Sequence, residues 1–391
     1  MATTPVKTPK TKEREVAEEF GDLESPSARA SEDVERVTSG LAIERAASMR
    51  FTEGGNNAVL PRLLDASGVL EDAANAIVDD SFHRCFNYSE NPAWNWNFYL
   101  FPTWVVGVIV RYFVLFPARF TVFMCSQFLF FSSFGVVHAL FRGKTRAKFE
   151  RKLVKMYAAS YIVTWGGVIK YHGPKPNKRA GYVYVANHTS MIDYIILTQM
   201  TPFSAIAQQN KGWVGFLQNT AMDAIDCIRF NRTESKDREM VQRRLREHVR
   251  DPDRLPLLIF PEGTCVNNEY CVMFKRGAFD LGCKVVPIAI KYNKTFAETF
   301  WHSRRQSFTQ HLMSLMSSWA VVADVWYMEP QEKRPGEDGI QFAERVRSMI
   351  CQRAGIKPVP WDGMLKYFKP SPRMCEKRRA EIAASLVKLI Q

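Results

Sequence analysis

Within Val185-Ala186-Asn187-His188-Thr189-Ser190-Met191-Ile192-Asp193-Tyr194, a histidine and an aspartate stand five positions apart. The pair suits proton transfer. If Asp193 holds one imidazole nitrogen, it fixes the tautomer, stabilises the imidazolium and leaves the other nitrogen to act as a general base. Five steps along a regular helix would put the two side chains on different faces, so they can meet only in a turn. Ser190 and Asp193 are residue types that start helices. Gly181 to Ala186 is an apolar, β-branched run that reads as a buried strand. His188 is therefore expected in a strand-to-helix turn. Taken singly, the pair reads more readily as a structural histidine than as a base.

The elements that must position a partner set lie further on. Leu255 to Phe260 reads as a second buried strand, and it delivers Phe260-Pro261-Glu262-Gly263-Thr264-Cys265 to its carboxyl end. Ligands bind at that end of strands in open α/β sheets. Gly263 permits a tight turn and a close backbone approach to a ligand. Arg232, in Ile228 to Arg232, carries the planar, always-charged fork that suits phosphate. Lys275 and Arg276 follow in Phe274 to Phe279, and a third apolar run covers Val285 to Ile290. Each motif alone has a bland reading as a surface turn or a solvated basic residue.

Together, in this order and approximate spacing, the four blocks from about Gly181 to Ile290 resemble the glycerolipid acyltransferase superfamily. The closer resemblance is to the endoplasmic-reticulum glycerol-3-phosphate acyltransferases. It rests on Phe260 to Asn268, followed by Met273-Phe274-Lys275, and on the tail Trp361 to Tyr367. Many lysophosphatidate acyltransferases carry arginine where Cys265 stands, so a phosphate contact by that residue does not transfer, and Lys275 or Arg276 is assigned it instead.

The resemblance implies acyl transfer from acyl-CoA to the sn-1 hydroxyl of glycerol 3-phosphate, giving lysophosphatidate. His188 would be the base and Asp193 its orienter. Arg232, Glu262, Gly263 and Thr264 would hold substrate, with Glu262 at the polyol end because a carboxylate repels phosphate. Backbone N–H groups near Gly263 are candidates for the oxyanion. Thioester cleavage is favourable, so acyl-CoA serves as co-substrate and neither cofactor nor metal is expected. Alternatives are a lysophospholipid acyltransferase and a catalytically inactive membrane scaffold.

The chain has 391 residues and a formal net charge of +13. No nucleic-acid motif accompanies that charge, so an anionic membrane face and phosphorylated substrates are the partners it suits; the sequence points to no protein partner. Eight cysteines with no Cys-x-x-Cys pair, and histidines without ligand spacing, speak against structural zinc and a disulfide scaffold. Cys265 reads as a small buried residue, because no histidine neighbours it in sequence.

Residues 1–57 are poor in large apolar side chains and read as a disordered cytosolic arm. Residues 58–97 show apolar spacing of an amphipathic helical region. Residues 98–141 are the membrane signal, read as a helical hairpin of two segments, 98–116 and 120–141, turning at Pro117-Ala118-Arg119. Basic residues from Arg142 to Lys152 place its exit on the cytosolic side of the endoplasmic reticulum. Residues 153–168 read as an amphipathic helix lying on the membrane and leading into the catalytic domain. The expected fold is α/β: an acyltransferase-type mixed central sheet flanked by helices over residues 150–370, with the membrane hairpin before it and a tail at 371–391.

Overall fold

The computed structural model describes residues 67–88, 98–176, 180–208, 223–230 and 237–390. The expected arm at 1–57 lies outside these residues, as does Arg232. Two compact units divide the chain, one formed by residues up to 78 together with 371–391, the other by 79–370. In the first, helix α1 (Ser67–His83) begins and the tail begins with Pro372; Arg379 donates from its guanidinium to the Asn75 side chain.

The second unit opens with a helical run from Phe98 to Leu140, 43 residues long and apolar enough to cross a membrane. It comprises α2 (Phe101–Ile109), a π-helical stretch (Val110–Leu115) and α3 (Phe116–Leu140). The expected reversal at Pro117–Arg119 does not occur. Proline lacks an N–H and its ring crowds the carbonyl four residues back. Here the wider π turn absorbs that conflict, with the Phe116 N–H bonding five residues back to the Arg111 carbonyl. At about 1.5 Å per residue the run is about 65 Å long, roughly twice the hydrocarbon thickness of a bilayer.

The reversal comes instead at Phe141 and Arg142, both extended, before α4 (Gly143–Thr164). Helices α3 and α4 pack antiparallel. Phe123 meets Tyr161 edge-on at 5.5 Å, Phe130 stacks on Tyr157 at 4.0 Å, and His138 reaches Glu150. A helical hairpin is thus present, displaced by one helix from the expected place. The buried face of α4 (Val154, Tyr157, Ala158, Tyr161, Ile162) is covered by protein, so this helix is more than a surface element.

The chain then alternates through β1 (Val168–His172), β2 (Tyr182–Ala186), α5 (Ile192–Met200), β3 (Ser204–Gln208), β4 (Ile228–Phe230), α6 (Asp237–Arg250), β5 (Leu257–Ile259) and β6 (Tyr270–Cys271). There follow β7 (Lys284–Asn293), α7 (Phe308–Met316), β8 (Val322–Tyr327), α8 (Gly339–Ala354), β9 (Lys357–Pro358) and α9 (Pro372–Ile390). The seven-stranded sheet has the order β1-β8-β7-β2-β5-β3-β4; only the β7–β8 pair is antiparallel, so the sheet is mixed as expected. Its central strands are buried on both faces, one against α4, α5 and α7 and the other against α6 and α8. Continuous apolar runs such as Val285 to Ile290 follow from that two-sided burial. Helix α8 is capped by Asp338 and ends at Gly355, which takes the left-handed conformation (φ 61°) that closes a helix.

Strands β2 and β5 are parallel neighbours, with Val185 opposite Ile259. Their following loops therefore leave the same edge of the sheet side by side. Three residues further along each strand stand His188 and Glu262.

Candidate active site

His188 lies in the turn between β2 and α5, and Asp193 in the first turn of α5. The Asp193 carboxylate is fully buried. Its Oδ2 faces His188 Nδ1 at 2.9 Å and accepts the Thr189 and Ser190 backbone N–H groups at 2.6 and 2.9 Å. Its Oδ1 accepts the Tyr292 hydroxyl at 2.5 Å, from the end of β7. Four donors fix one carboxylate. An ionised Asp193 in that setting makes Nδ1 the protonated ring nitrogen and leaves Nε2 as the basic one.

Glu262 is buried beneath the same turn. Its Oε1 accepts the His188 backbone N–H at 2.7 Å, and Oε2 faces the Val272 N–H at 3.4 Å. The Val266 N–H in turn donates to the His188 carbonyl at 2.8 Å. The loop from 262 to 266 thus grips His188 by both of its backbone groups. The carboxylate expected at the substrate's polyol is engaged with protein backbone. Burial pushes the Glu262 carboxyl up to about 8, against the pull of the His188 N–H.

The imidazole stacks on Phe260, with centroids 4.2 Å apart. Cys265 brings its Sγ to 3.5 Å from His188 Nε2. The Cys265 thiol is buried as expected, yet it touches the catalytic-type histidine, a contact 77 positions apart in sequence. Burial lowers the His188 pKa, while Cys265 and the Asp193 carboxylate raise it; the net shift is upward.

Gly263 has φ +66°, a left-handed turn that glycine allows without strain. Its N–H is spent on the Phe260 carbonyl at 3.2 Å. Thr264 is buried, and its Oγ1 has no hydrogen-bond partner among the described residues. Lys275 lies over Gly263: a Cβ built there would come within 3.2 Å of its Nζ. Arg276 is 70% exposed and faces Asp280 at 3.7 Å, with no contact to the His188 cluster. Among the described residues no group of three or more His, Cys, Asp or Glu could hold a metal ion.

Several supporting residues were not singled out from sequence. Ser190 Oγ pairs with His311 Nε2 at 2.8 Å, tying the turn to α7. Asn268, itself at φ 58°, gives its amide to Thr189 Oγ1 and the Ile290 carbonyl and accepts the Tyr292 N–H. Asn187 clasps the backbone N–H and carbonyl of Ile290. Asn187 and Asn268, one in each loop, thus stitch the two loops to β7, whereas Asn267 bonds the Arg84 and Asn87 carbonyls. Only the order of strands in the sheet, which one sequence does not give, brings Tyr292 to Asp193.

A mixed α/β domain of this kind, with the dyad and the glycine turn on adjacent strand ends, falls in the acyltransferase class: the family model described as Acyltransferase matches residues 168–291, from β1 through most of β7. Glycerol-3-phosphate acyltransferase 3 of Gallus gallus is 39% identical over 325 residues, covering 80% of this chain and 73% of that protein. The Homo sapiens glycerol-3-phosphate acyltransferase 3 is 38% identical, covering 80% and 74%, and glycerol-3-phosphate acyltransferase 4 of Homo sapiens is 37% identical, covering 75% and 67%. The chain belongs to the family of these glycerol-3-phosphate acyltransferases. The crystal structure of the 1-acyl-sn-glycerophosphate (LPA) acyltransferase PlsC from Thermotoga maritima matches with a TM-score of 0.41 at 15% identity, covering 64% of this chain and 95% of that one.

Proposed function

We propose that this protein transfers an acyl group from acyl-CoA to the sn-1 hydroxyl of glycerol 3-phosphate, with His188 as general base and Asp193 as its orienter. The supporting observation is the dyad itself, in which Asp193 holds Nδ1 while Nε2 faces the loop that follows β5. Nε2 takes the hydroxyl proton as the oxygen attacks the thioester carbonyl, and returns it to the departing thiolate. Such a base supplies about 10²–10⁴-fold, so the oxyanion must also be stabilised. With the Gly263 N–H spent, the Thr264 and Cys265 N–H groups, which make no hydrogen bond among the described residues, are the donors assigned to it. Glu262 acts by holding the His188 backbone. Lys275, over the glycine turn, and Arg232 are assigned to the anionic parts of the substrates; Arg276 is the weaker candidate. No step requires a metal or cofactor.

The helical run from Phe98 to Leu140 fits a membrane element, with large apolar side chains such as Phe113, Phe128 and Leu140 exposed. We place the enzyme at the endoplasmic-reticulum membrane with the catalytic domain in the cytosol, where its lipid product can leave into the bilayer. The test offers purified protein in liposomes labelled acyl-CoA with either glycerol 3-phosphate or lysophosphatidate, beside His188→Ala. His188-dependent label in lysophosphatidate supports the reading. Label in phosphatidate only would make it a lysophospholipid acyltransferase, and no His188-dependent label would overturn acyl transfer.

A further inference from the structure

The segment after β9 reaches the catalytic loop and is not explained by the dyad. Gly363–Lys366 forms a short 3-10 turn capped by the Asp362 side chain. It packs tightly on the loop after β5. A Cβ at Gly363 would fall 2.5 Å from Thr264 Cγ2 and 3.0 Å from the Glu262 carbonyl. At the end of this turn Lys366 is 4% exposed, and its Nζ donates to the Cys265 carbonyl at 3.1 Å and sits 5.1 Å from the centre of the Phe300 ring. A second segment, Trp301 to Arg305, lies on the other side: the Trp301 N–H donates to the Thr189 carbonyl at 3.3 Å, and Arg304 Nη1 to the Lys366 carbonyl at 2.8 Å. The first segment therefore contacts the loop that carries Cys265, and the second the residue after His188.

Their charges are all of one sign. Lys366, Arg304 and Arg305 form no ion pair among the described residues. The carboxylates on these segments and on the loop they contact are committed elsewhere: Glu298 to the Phe300 N–H and Lys294, Asp362 to the Met364 N–H, Glu262 to the His188 N–H. Burial lowers the Lys366 pKa. His302 is lowered by burial and then by Lys366, Arg305 and Arg304. His302 Nδ1 is also buried without a hydrogen-bond partner. An ammonium out of water with one carbonyl acceptor and a ring face is costly unless an anion completes it. Arg304 and Arg305 are exposed, so the positive field runs from the surface inward to Lys366.

We propose that Lys366, with His302, Arg304 and Arg305, forms a phosphate-binding site beside His188 that holds a phosphate group of a substrate. This rests on the acyl-transfer reading above. Both the acceptor and acyl-CoA carry phosphate, and the experiment separates them. It also gives a role to the Trp361–Tyr367 tail, which the dyad chemistry leaves unused.

The experiment compares wild type, Lys366→Met, Lys366→Arg and the surface double variant Arg304→Gln/Arg305→Gln, each as full-length protein in liposomes. KM and kcat are measured for glycerol 3-phosphate and for acyl-CoA, with inorganic phosphate as competing probe. Lys366→Met should raise the KM of one substrate tenfold or more, with Lys366→Arg restoring much of it. The double variant should raise the same KM, and inorganic phosphate should inhibit wild type more than either variant. A rise confined to glycerol 3-phosphate assigns the acceptor's phosphate; one confined to acyl-CoA assigns the donor's. If Lys366→Met does not fold, the double variant and phosphate competition decide. Unchanged KM values with active wild type overturn this site alone, whereas wild type without His188-dependent transfer overturns the acyl-transfer reading itself.

Discussion

Cys265 Sγ and His188 Nε2 stand 3.5 Å apart, on the side of the ring opposite Asp193. Thiol, imidazole and carboxylate in line could support a covalent acyl-enzyme, with the donor's acyl group passing first to sulfur. The alternative is that the sulfur only lines the place where the acceptor hydroxyl meets Nε2. Direct attack predicts that Cys265→Ala keeps kcat within about threefold of wild type, whereas loss of a covalent nucleophile would cost about 10³-fold or more. Turnover of the variant, with intact mass after rapid quenching, decides between them. An acylated wild-type chain, together with a dead variant, would sink direct attack.

The dyad also fixes a pH dependence. Burial disfavours the His188 imidazolium, but Cys265 and Asp193 outweigh it and the folded-state pKa is raised. A base works only when neutral, so kcat/KM should climb with pH along a limb lying above the ordinary histidine value of about 6.5. Asp193→Asn removes the carboxylate that raises the His188 pKa and should move that limb toward acid while lowering kcat. Linkage has a definite sign: the stability gained from a raised histidine is complete below its unfolded value and is lost as pH rises through the folded one. A limb centred below pH 6.5 in wild type would contradict the assignment of His188.

Tyr292 carries a separate prediction. Its hydroxyl supplies the only bond to Asp193 Oδ1 among the described residues. Tyr292→Phe keeps the ring and leaves that oxygen buried without a donor, at a cost of about 1–3 kcal/mol. The carboxylate then has freedom to rotate away from Nδ1. We expect kcat to fall by about tenfold, near 1.4 kcal/mol in barrier, with KM values unchanged. Steady-state kinetics and a thermal melt check both parts; an unchanged kcat would show that the Thr189 and Ser190 N–H groups suffice to hold Asp193.

What was legible in the sequence was local. The turn that carries His188, the strands Tyr182–Ala186, Leu257–Ile259 and Lys284–Asn293, and the helix ended by Gly355 all announce themselves by apolar runs and capping residues. The partners of the dyad did not, because they arrive through strand order and chain return: Tyr292 from β7, His311 from α7, Lys366 from beyond β9. Glu262 was found as a residue but its carboxylate turned inward, since register between two parallel strands places it under the His188 N–H. The misplaced hairpin has a different origin. Pro117 is a turn signal read alone, and only the π stretch before it lets the helix continue.

Arg119 is the residue that makes that continuous helix matter to the catalytic domain. Its guanidinium donates to the carbonyls of Met316, Ser318 and Trp319 at 3.0, 2.6 and 2.8 Å, at the carboxyl end of α7. Met316 ends the helix and Ser318 and Trp319 follow it, so these carbonyls lie where the last turn leaves acceptors unpaired, and the negative end of the helix dipole favours a cation there. Helix α7 also carries His311, which braces the catalytic turn through Ser190. Arg119→Met should therefore lower stability by about 2 kcal/mol and reduce turnover without altering the pH limb. Arg119→Lys should recover only part, because one ammonium cannot match a planar fork that serves three carbonyls. Thermal unfolding in detergent and activity in liposomes read the two effects separately. An Arg119→Met protein with wild-type melting and wild-type turnover would mean that the long helix is attached to the catalytic domain by its apolar packing alone.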